Sequence, residues 1–147
     1  IPDEESEINY ELANAVLDKI AELSKICNNV IESGATVNDK HYSMALTDQL
    51  NLESLKTTIM AGATAVPYHA DNEACTLYSK ESFLMVYNAC AAHKIQQTTY
   101  FNHLKEYVKT LTSADDIKAI HYGQALTGKY LESFNTIMSA VSGKAGE

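Results

Sequence analysis

The stretch from Ala63 to Tyr78 constrains the fold more than any other part of the chain. Long helical patterns flank it, yet it alternates as a strand does, and it holds Pro67, one of only 2 prolines. Val66 and Tyr68 alternate with Pro67 and His69, and Cys75 and Leu77 with Thr76 and Tyr78. Asp71-Asn72, between them, is a turn dipeptide. The pattern predicts a short hairpin, with Pro67 at an edge or a strand end because proline has no N–H to give a ladder. A lone two-stranded hairpin is marginal in water. It must lie against the helices or pair with another hairpin.

A second hairpin is readable in Ala35–Ala45, where Val37 and Tyr42 flank the turn-prone Asn38-Asp39-Lys40. The rest of the chain is helical in period. Leu12, Val16, Ile20, Leu23, Cys27 and Val30 mark one helix face from about Glu7 onward, and Gly34 supplies the stop. Thr47 supplies the cap of a second helix over Leu46–Ala61 with the stripe Leu52, Leu55 and Ile59, ended by Gly62. Ser79 caps a long third helix, Lys80–Leu111, whose stripe runs Phe83, Val86, Tyr87, Cys90, then Phe101, Leu104, Val108 and Leu111. Its polar stretch Gln96–Thr99 marks a bend near Gln97. Ser113 and Asp116 form a capping-box-like pair for a short helix ending at Gly123. Thr127 opens the last helix, with the stripe Tyr130 or Leu131, Phe134, Ile137 or Met138, and Val141. The expected fold is mainly α (an α-rich α+β), a helical bundle of about five helices with two short β-hairpins, separate or joined in one small antiparallel sheet.

The 147 residues suit one domain with a sizeable core, with loose ends over residues 1–6 and 142–147. Ile1 is not Met, so the chain reads as the C-terminal module of a longer one. The net charge of −8 opposes both a nucleic-acid footprint and docking on an anionic membrane. No apolar run approaches the ~20 residues that span a bilayer, and no signal peptide is visible. Cys27, Cys75 and Cys90 have no metal-type spacing. Cys27 and Cys90 fall on apolar stripes as buried thiols, which suits a reducing cytoplasm.

Chemistry-bearing patterns are sparse. His41, His69, His93, His103 and His121 form no pair at four-residue spacing and no HExxH. His69 and Asp71 make an H-x-D pair, a weak metal signal. Cys75 lies near His69, but Asp71 and Glu73 are the wrong surroundings for a thiolate. These features leave a small His/Cys metal-binding protein or enzyme as one alternative and a helical adaptor or regulatory domain as another. The main expectation is no catalysis, no cofactor and no metal. The 9 tyrosines, with no Trp and 3 Phe, suit half-buried contact surfaces.

Three strings, His41–Leu55, Ala65–Phe83 and Ala91–Val108, resemble a domain of unknown function from tail and baseplate-region proteins of tailed phages and prophages of Gram-positive bacteria. The matching residues are Cys27, Gly34, Tyr42-Ser43, Asp48-Gln49, Asn51-Leu52, Val66 to Asp71, Cys75 and Thr98 to Leu104. The resemblance covers Lys19 to Val108. It implies a non-enzymatic virion structural module of a tail tip, baseplate or host-contacting appendage, acting through protein–protein contacts. Its partners would be other tail or baseplate proteins and further copies of itself, with no nucleic acid and no membrane insertion. It would reside in the bacterial host cytoplasm during assembly and then in the virion tail. The expected contact residues are His41, Tyr42, Tyr68, His69 and Tyr78. Asp48, Gln49 and Asn51 would fix the second helix against the hairpins by hydrogen bonds.

Overall fold

The computed structural model of the chain describes residues 3–143. In chain order these form α1 (Glu4–Glu32), β1 (Ala35–Val37), β2 (Lys40–Tyr42), α2 (Leu46–Met60), β3 (Ala65–Tyr68), β4 (Thr76–Ser79), α3 (Lys80–Val108), α4 (Ala114–Lys118) and α5 (Gly128–Val141). This is the expected α-rich α+β fold. The hairpins stay separate, as antiparallel sheets β1-β2 and β3-β4, rather than joining in one. The chain divides into two compact units, Ile1–Cys27 with Thr98–Glu147, and Asn28–Gln97.

In the first unit, α1 starts earlier than its apolar stripe suggests. The Asp3 carboxylate accepts the Ser6 amide at 2.8 Å, and Glu4, Glu5 and Glu7 sit in the first turn, where the helix dipole favours acids. Residues 4–6, expected to be loose, are therefore helical. Residues 1–2 and 144–147, the remainder of the expected loose ends apart from Asp3, Ser142 and Gly143, lie outside the described residues. The core gathers Leu23, Leu104, Val108, Ile117, Ile120 and Leu126, with Leu12, Val16, Tyr100 and Phe134 packed against it. On α5 the stripe falls on Tyr130, Phe134 and Met138, each half-buried. Leu131, Ile137 and Val141 are exposed. Lys19 is a buried cation that the periodicity did not single out. Its Nζ donates to the Ile120 carbonyl at 2.9 Å and the Lys118 carbonyl at 3.3 Å, and pairs with Glu22 at 2.9 Å. It thus places positive charge at the carbonyl end of α4.

In the second unit, the end of α1 leads straight into a tight approach. Gly34 has φ +84°, and a Cβ there would lie 1.9 Å from the Tyr42 carbonyl oxygen. Only glycine can leave the helix in this conformation and this close to β2. Asn38 and Asp39, at φ 50° and 65°, form the two-residue turn of β1-β2, with both central residues at positive φ as a type I′ turn requires. Thr47 does not cap α2. Ala45 occupies the cap position, and Asp48 accepts its amide at 3.0 Å. Thr47 lies one residue inside the first turn, past the point where a hydroxyl can reach the free amides. Gln49 ties back to the Met44 carbonyl at 2.9 Å and accepts Lys94 of α3 at 2.6 Å. Asn51 is exposed. Ser79 does cap α3, accepting the Ser82 amide at 3.1 Å. The α3 stripe buries Phe83, Val86, Tyr87 and Cys90. That helix ends at Val108 rather than Leu111, because Leu111 turns back to bond the Val108 carbonyl at 3.1 Å.

Candidate functional site

Strand geometry decides which hairpin side chains share a face. In β2, Lys40 and Tyr42 project to one side and His41 to the other. The register Val37↔Lys40, Thr36↔His41, Ala35↔Tyr42 adds Val37 to the first face and Thr36 to the second. The Lys40 face borders a cleft of about 270 Å³ between the two hairpins. Thr76, Leu77, Tyr78 and Ser79 of β4, with Ser82 and Val86 of α3, form its other side.

Aromatic rings make the floor. Tyr42 stacks on Tyr68 with centroids 6.1 Å apart. Tyr78 meets both rings edge-on, at 6.5 and 6.1 Å, and Phe83 meets Tyr68 at 6.0 Å. Such edge-to-face and offset contacts add to the area buried. The Tyr42 and Tyr78 hydroxyls share a hydrogen bond of 2.8 Å. Burial pushes the Tyr42 phenol upward, with the Tyr78 bond adding to it. Burial likewise pushes Tyr68 up to about 12. These phenols stay protonated near neutrality and serve as hydrogen-bonding groups, not as nucleophiles.

The opposite face of β2 carries a polar latch. Asp71, in the loop between β3 and β4, accepts His41 Nδ1 at 2.6 Å, Ser43 Oγ at 2.6 Å and the Ser43 amide at 3.0 Å. Its own amide donates to the His41 carbonyl at 2.9 Å. The Ser43 hydroxyl first, then the Ser43 amide and His41, hold the Asp71 carboxyl down at about 2. Lys40 reaches the same loop at Glu73, 3.1 Å away. The two hairpins are thus locked together by side chains and one backbone bond rather than by a shared ladder.

The five expected contact residues therefore have different stations. Tyr42 and Tyr78 line the cleft, Tyr42 buried and Tyr78 half-buried, while Tyr68, also buried, packs against both rings. His41 belongs to the latch. His69 stacks on Tyr68 with centroids 5.8 Å apart and bonds the Ala70 carbonyl at 2.9 Å. The H-x-D pair does not act as a pair, since the Asp71 carboxylate is taken by His41 and Ser43. The sequence reading missed Ser43, Lys40 and Leu77, the last of which is 73% exposed on β4.

The arrangement offers little to the metal or enzyme alternative. Among the described residues, no three His, Cys, Asp or Glu side chains converge as a metal site needs. Cys27 and Cys90 are buried thiols and Cys75 is an exposed one, none of them in a disulfide; burial pushes Cys90 up to about 11. His103 donates from Nδ1 to the Thr99 carbonyl at 2.8 Å and accepts Ser133 Oγ at 2.8 Å on Nε2. A serine bonded to a base is half of a nucleophilic pair. Ser133 lies mid-helix in α5, however, where amides are spent on the helix and cannot form an oxyanion hole. Among the described residues, no helix is long and apolar enough to cross a membrane.

No curated protein and no solved structure matches the chain. A family match covers residues 14–122 and contains the cleft, the latch and every residue of the resemblance quoted above, while α5 lies beyond it. On that match, which spans well over half of its length, the chain belongs to the DUF4376 family, a domain of unknown function.

Proposed function

We propose that this domain is a non-enzymatic contact module that binds a partner protein through the cleft between its hairpins. One observation carries the reading. The cleft combines hydrogen-bonded tyrosine hydroxyls, a buried aromatic floor and the exposed Leu77, all on a frame braced by Asp71. Tyrosine-rich surfaces of this make-up suit recognition, because a tyrosine offers large contact area at low entropic cost.

We further propose a setting in a phage particle, as a structural module of a tail tip, baseplate or host-contacting appendage. What supports this finer reading is the resemblance carried by His41–Leu55, Ala65–Phe83 and Ala91–Val108, together with the acidic composition. Neighbouring tail proteins would be the partners, and the host cytoplasm the place of assembly.

The test is site-specific photo-crosslinking. A photoreactive amino acid replaces Leu77 in the gene within its native prophage, the prophage is induced, and tail particles are purified. The expected result is a crosslinked band that contains a second structural protein of the particle. Protein present in the particle but crosslinked to nothing from this position would overturn the contact reading. Protein absent from the particle would overturn the virion setting.

A further inference from the structure

We propose that the partner's contribution to the cleft is an extended peptide bearing an Asp or Glu, which adds to β4 as a third strand. The inference rests on the contact-module reading and specifies how that contact is made.

Hydrogen-bond parity sets which backbone groups face the cleft. Lys80 donates to the Thr64 carbonyl at 2.8 Å, one step beyond the ladder Ala65↔Ser79, Val66↔Tyr78, Pro67↔Leu77, Tyr68↔Thr76. In an antiparallel pair, bonded rungs alternate with open ones. The bonded rungs are therefore Val66↔Tyr78 and Tyr68↔Thr76, while Ala65 and Pro67 on β3 and Leu77 and Ser79 on β4 turn their backbone groups outward. The two outer edges are then unequal. On β3 one of the two outward residues, Pro67, is a proline, which has no N–H and blunts that edge. On β4 neither of the two outward residues, Leu77 and Ser79, is a proline, and Leu77, at the middle of the strand, presents both N–H and C=O with no partner for either among the described residues.

The edge of β4 borders the cleft. A strand laid against it can exchange both bonds with Leu77, the mode by which peptides extend open sheet edges. At about 270 Å³ the space is small for a drug-like ligand, but a peptide uses only part of its surface there. Charge selects the peptide. Lys40 is the one charged residue among those that line the cleft. Its Glu73 partner is bonded at 3.1 Å with both side chains about half exposed, and such a surface pair is exchanged at little cost. A chain of net charge −8 thus presents a local positive point beside an open strand.

The test selects binders of the whole domain from a random library of short peptides. It then compares the wild type with Leu77→Pro, which removes the outward N–H, Leu77→Ala, which keeps it, and Lys40→Ala. The Leu77 position carries no bond to β3, so proline there spares the ladder; circular dichroism and thermal melting check that it folds. We expect acidic peptides with alternating apolar residues, affinity reduced about tenfold or more by Leu77→Pro and Lys40→Ala, and reduced less than about threefold by Leu77→Ala. Binding should also slow hydrogen exchange at the Leu77 amide. On wild-type protein, peptides methylated at alternate backbone nitrogens should fail to bind in one of the two phases of methylation. The proposal falls if no peptide is selected, if selected peptides lack acids, or if they tolerate both methylation phases. It also falls if the free domain dimerises through β4 and Leu77→Pro abolishes the dimer, since a second copy is then the occupant. A Leu77 crosslink in the particle combined with any of these results would retain the contact module and remove only the strand-addition mode.

Discussion

The two hairpins have similar strand lengths but are specified in opposite ways. The first is closed by local chemistry. Asn38 and Asp39 take the two positive φ values of a type I′ turn, and the strands follow in register. The second joins Tyr68 to Thr76 by a longer loop, which does turn at the expected Asp71-Asn72, with Asn72 at φ 61° and the Glu73 amide on the Ala70 carbonyl at 3.2 Å, but which does not set the strand register as a two-residue turn does. Its loop is further held from elsewhere, through Asp71, whose partners His41 and Ser43 lie 30 and 28 residues earlier in the chain. The comparison teaches that the cleft is assembled by tertiary bonds around a locally defined strand pair. Disturbing the first hairpin should disturb both, whereas disturbing the latch should loosen the second more than the first.

The largest effect is expected at Gly34, where the first hairpin meets α1. Gly34→Ala places a Cβ 1.9 Å from the Tyr42 carbonyl oxygen in a left-handed conformation. The backbone must shift, and we expect a loss of about 3 kcal/mol or more in urea unfolding, with the Tyr42–Tyr78 bond lost as well. A loss below about 1 kcal/mol would mean that the hairpin docks independently of this approach.

The latch comes next. Asp71→Ala should cost about 1–2 kcal/mol, the scale of charge-assisted hydrogen bonds at a partly exposed site. Its pH dependence is a sharper measure. The folded-state carboxyl is held at about 2, below the ordinary 3.8, so the unfolded chain takes up the proton more readily. The stabilisation is complete above 3.8 and is lost as pH falls toward about 2. Asp71→Asn should flatten stability across that window, and hydrogen exchange should quicken at Val66 and Tyr78 before it does at Val37 and Lys40. Equal quickening in both hairpins would erase the distinction. A smaller effect is expected from Tyr78→Phe, about 1 kcal/mol or less, because it removes one hydroxyl bond and leaves the ring contacts in place.

These differences also explain what the sequence could disclose. Helix faces followed from spacing, since Phe83, Val86, Tyr87 and Cys90 are buried because they recur on one side. The first hairpin followed from its turn residues. The lining of the cleft was half readable: Tyr42, Tyr68 and Tyr78 were all expected as contact residues, but nothing local separates Tyr78, which is half-buried, from Tyr42 and Tyr68, which are buried. Asp71 pointed to His69 by proximity, while its partners came from another hairpin. Lys19 escaped for the same reason, as the carbonyls of Lys118 and Ile120 that hold it lie about a hundred residues away in the chain. The second helix starts at Leu46, but Thr47 misled as its cap, because that role falls to the position before the first helical residue, here Ala45.

The smallest effect is also the cleanest probe of local specification. Asp39 holds φ 65° without being a glycine, and Asn-Gly is the preferred pair for a type I′ turn. Asp39→Gly relieves the cost of a side chain in the left-handed region, but it also enlarges the freedom of the unfolded chain. The two terms oppose, so the net change should be a gain of a few tenths of a kcal/mol. Because the turn does not touch Asp71, that gain should appear undiminished in the Asp71→Ala background. If instead the gain vanishes when the latch is cut, the turn and the latch are coupled, and the first hairpin owes its shape to the second as much as the second does to the first.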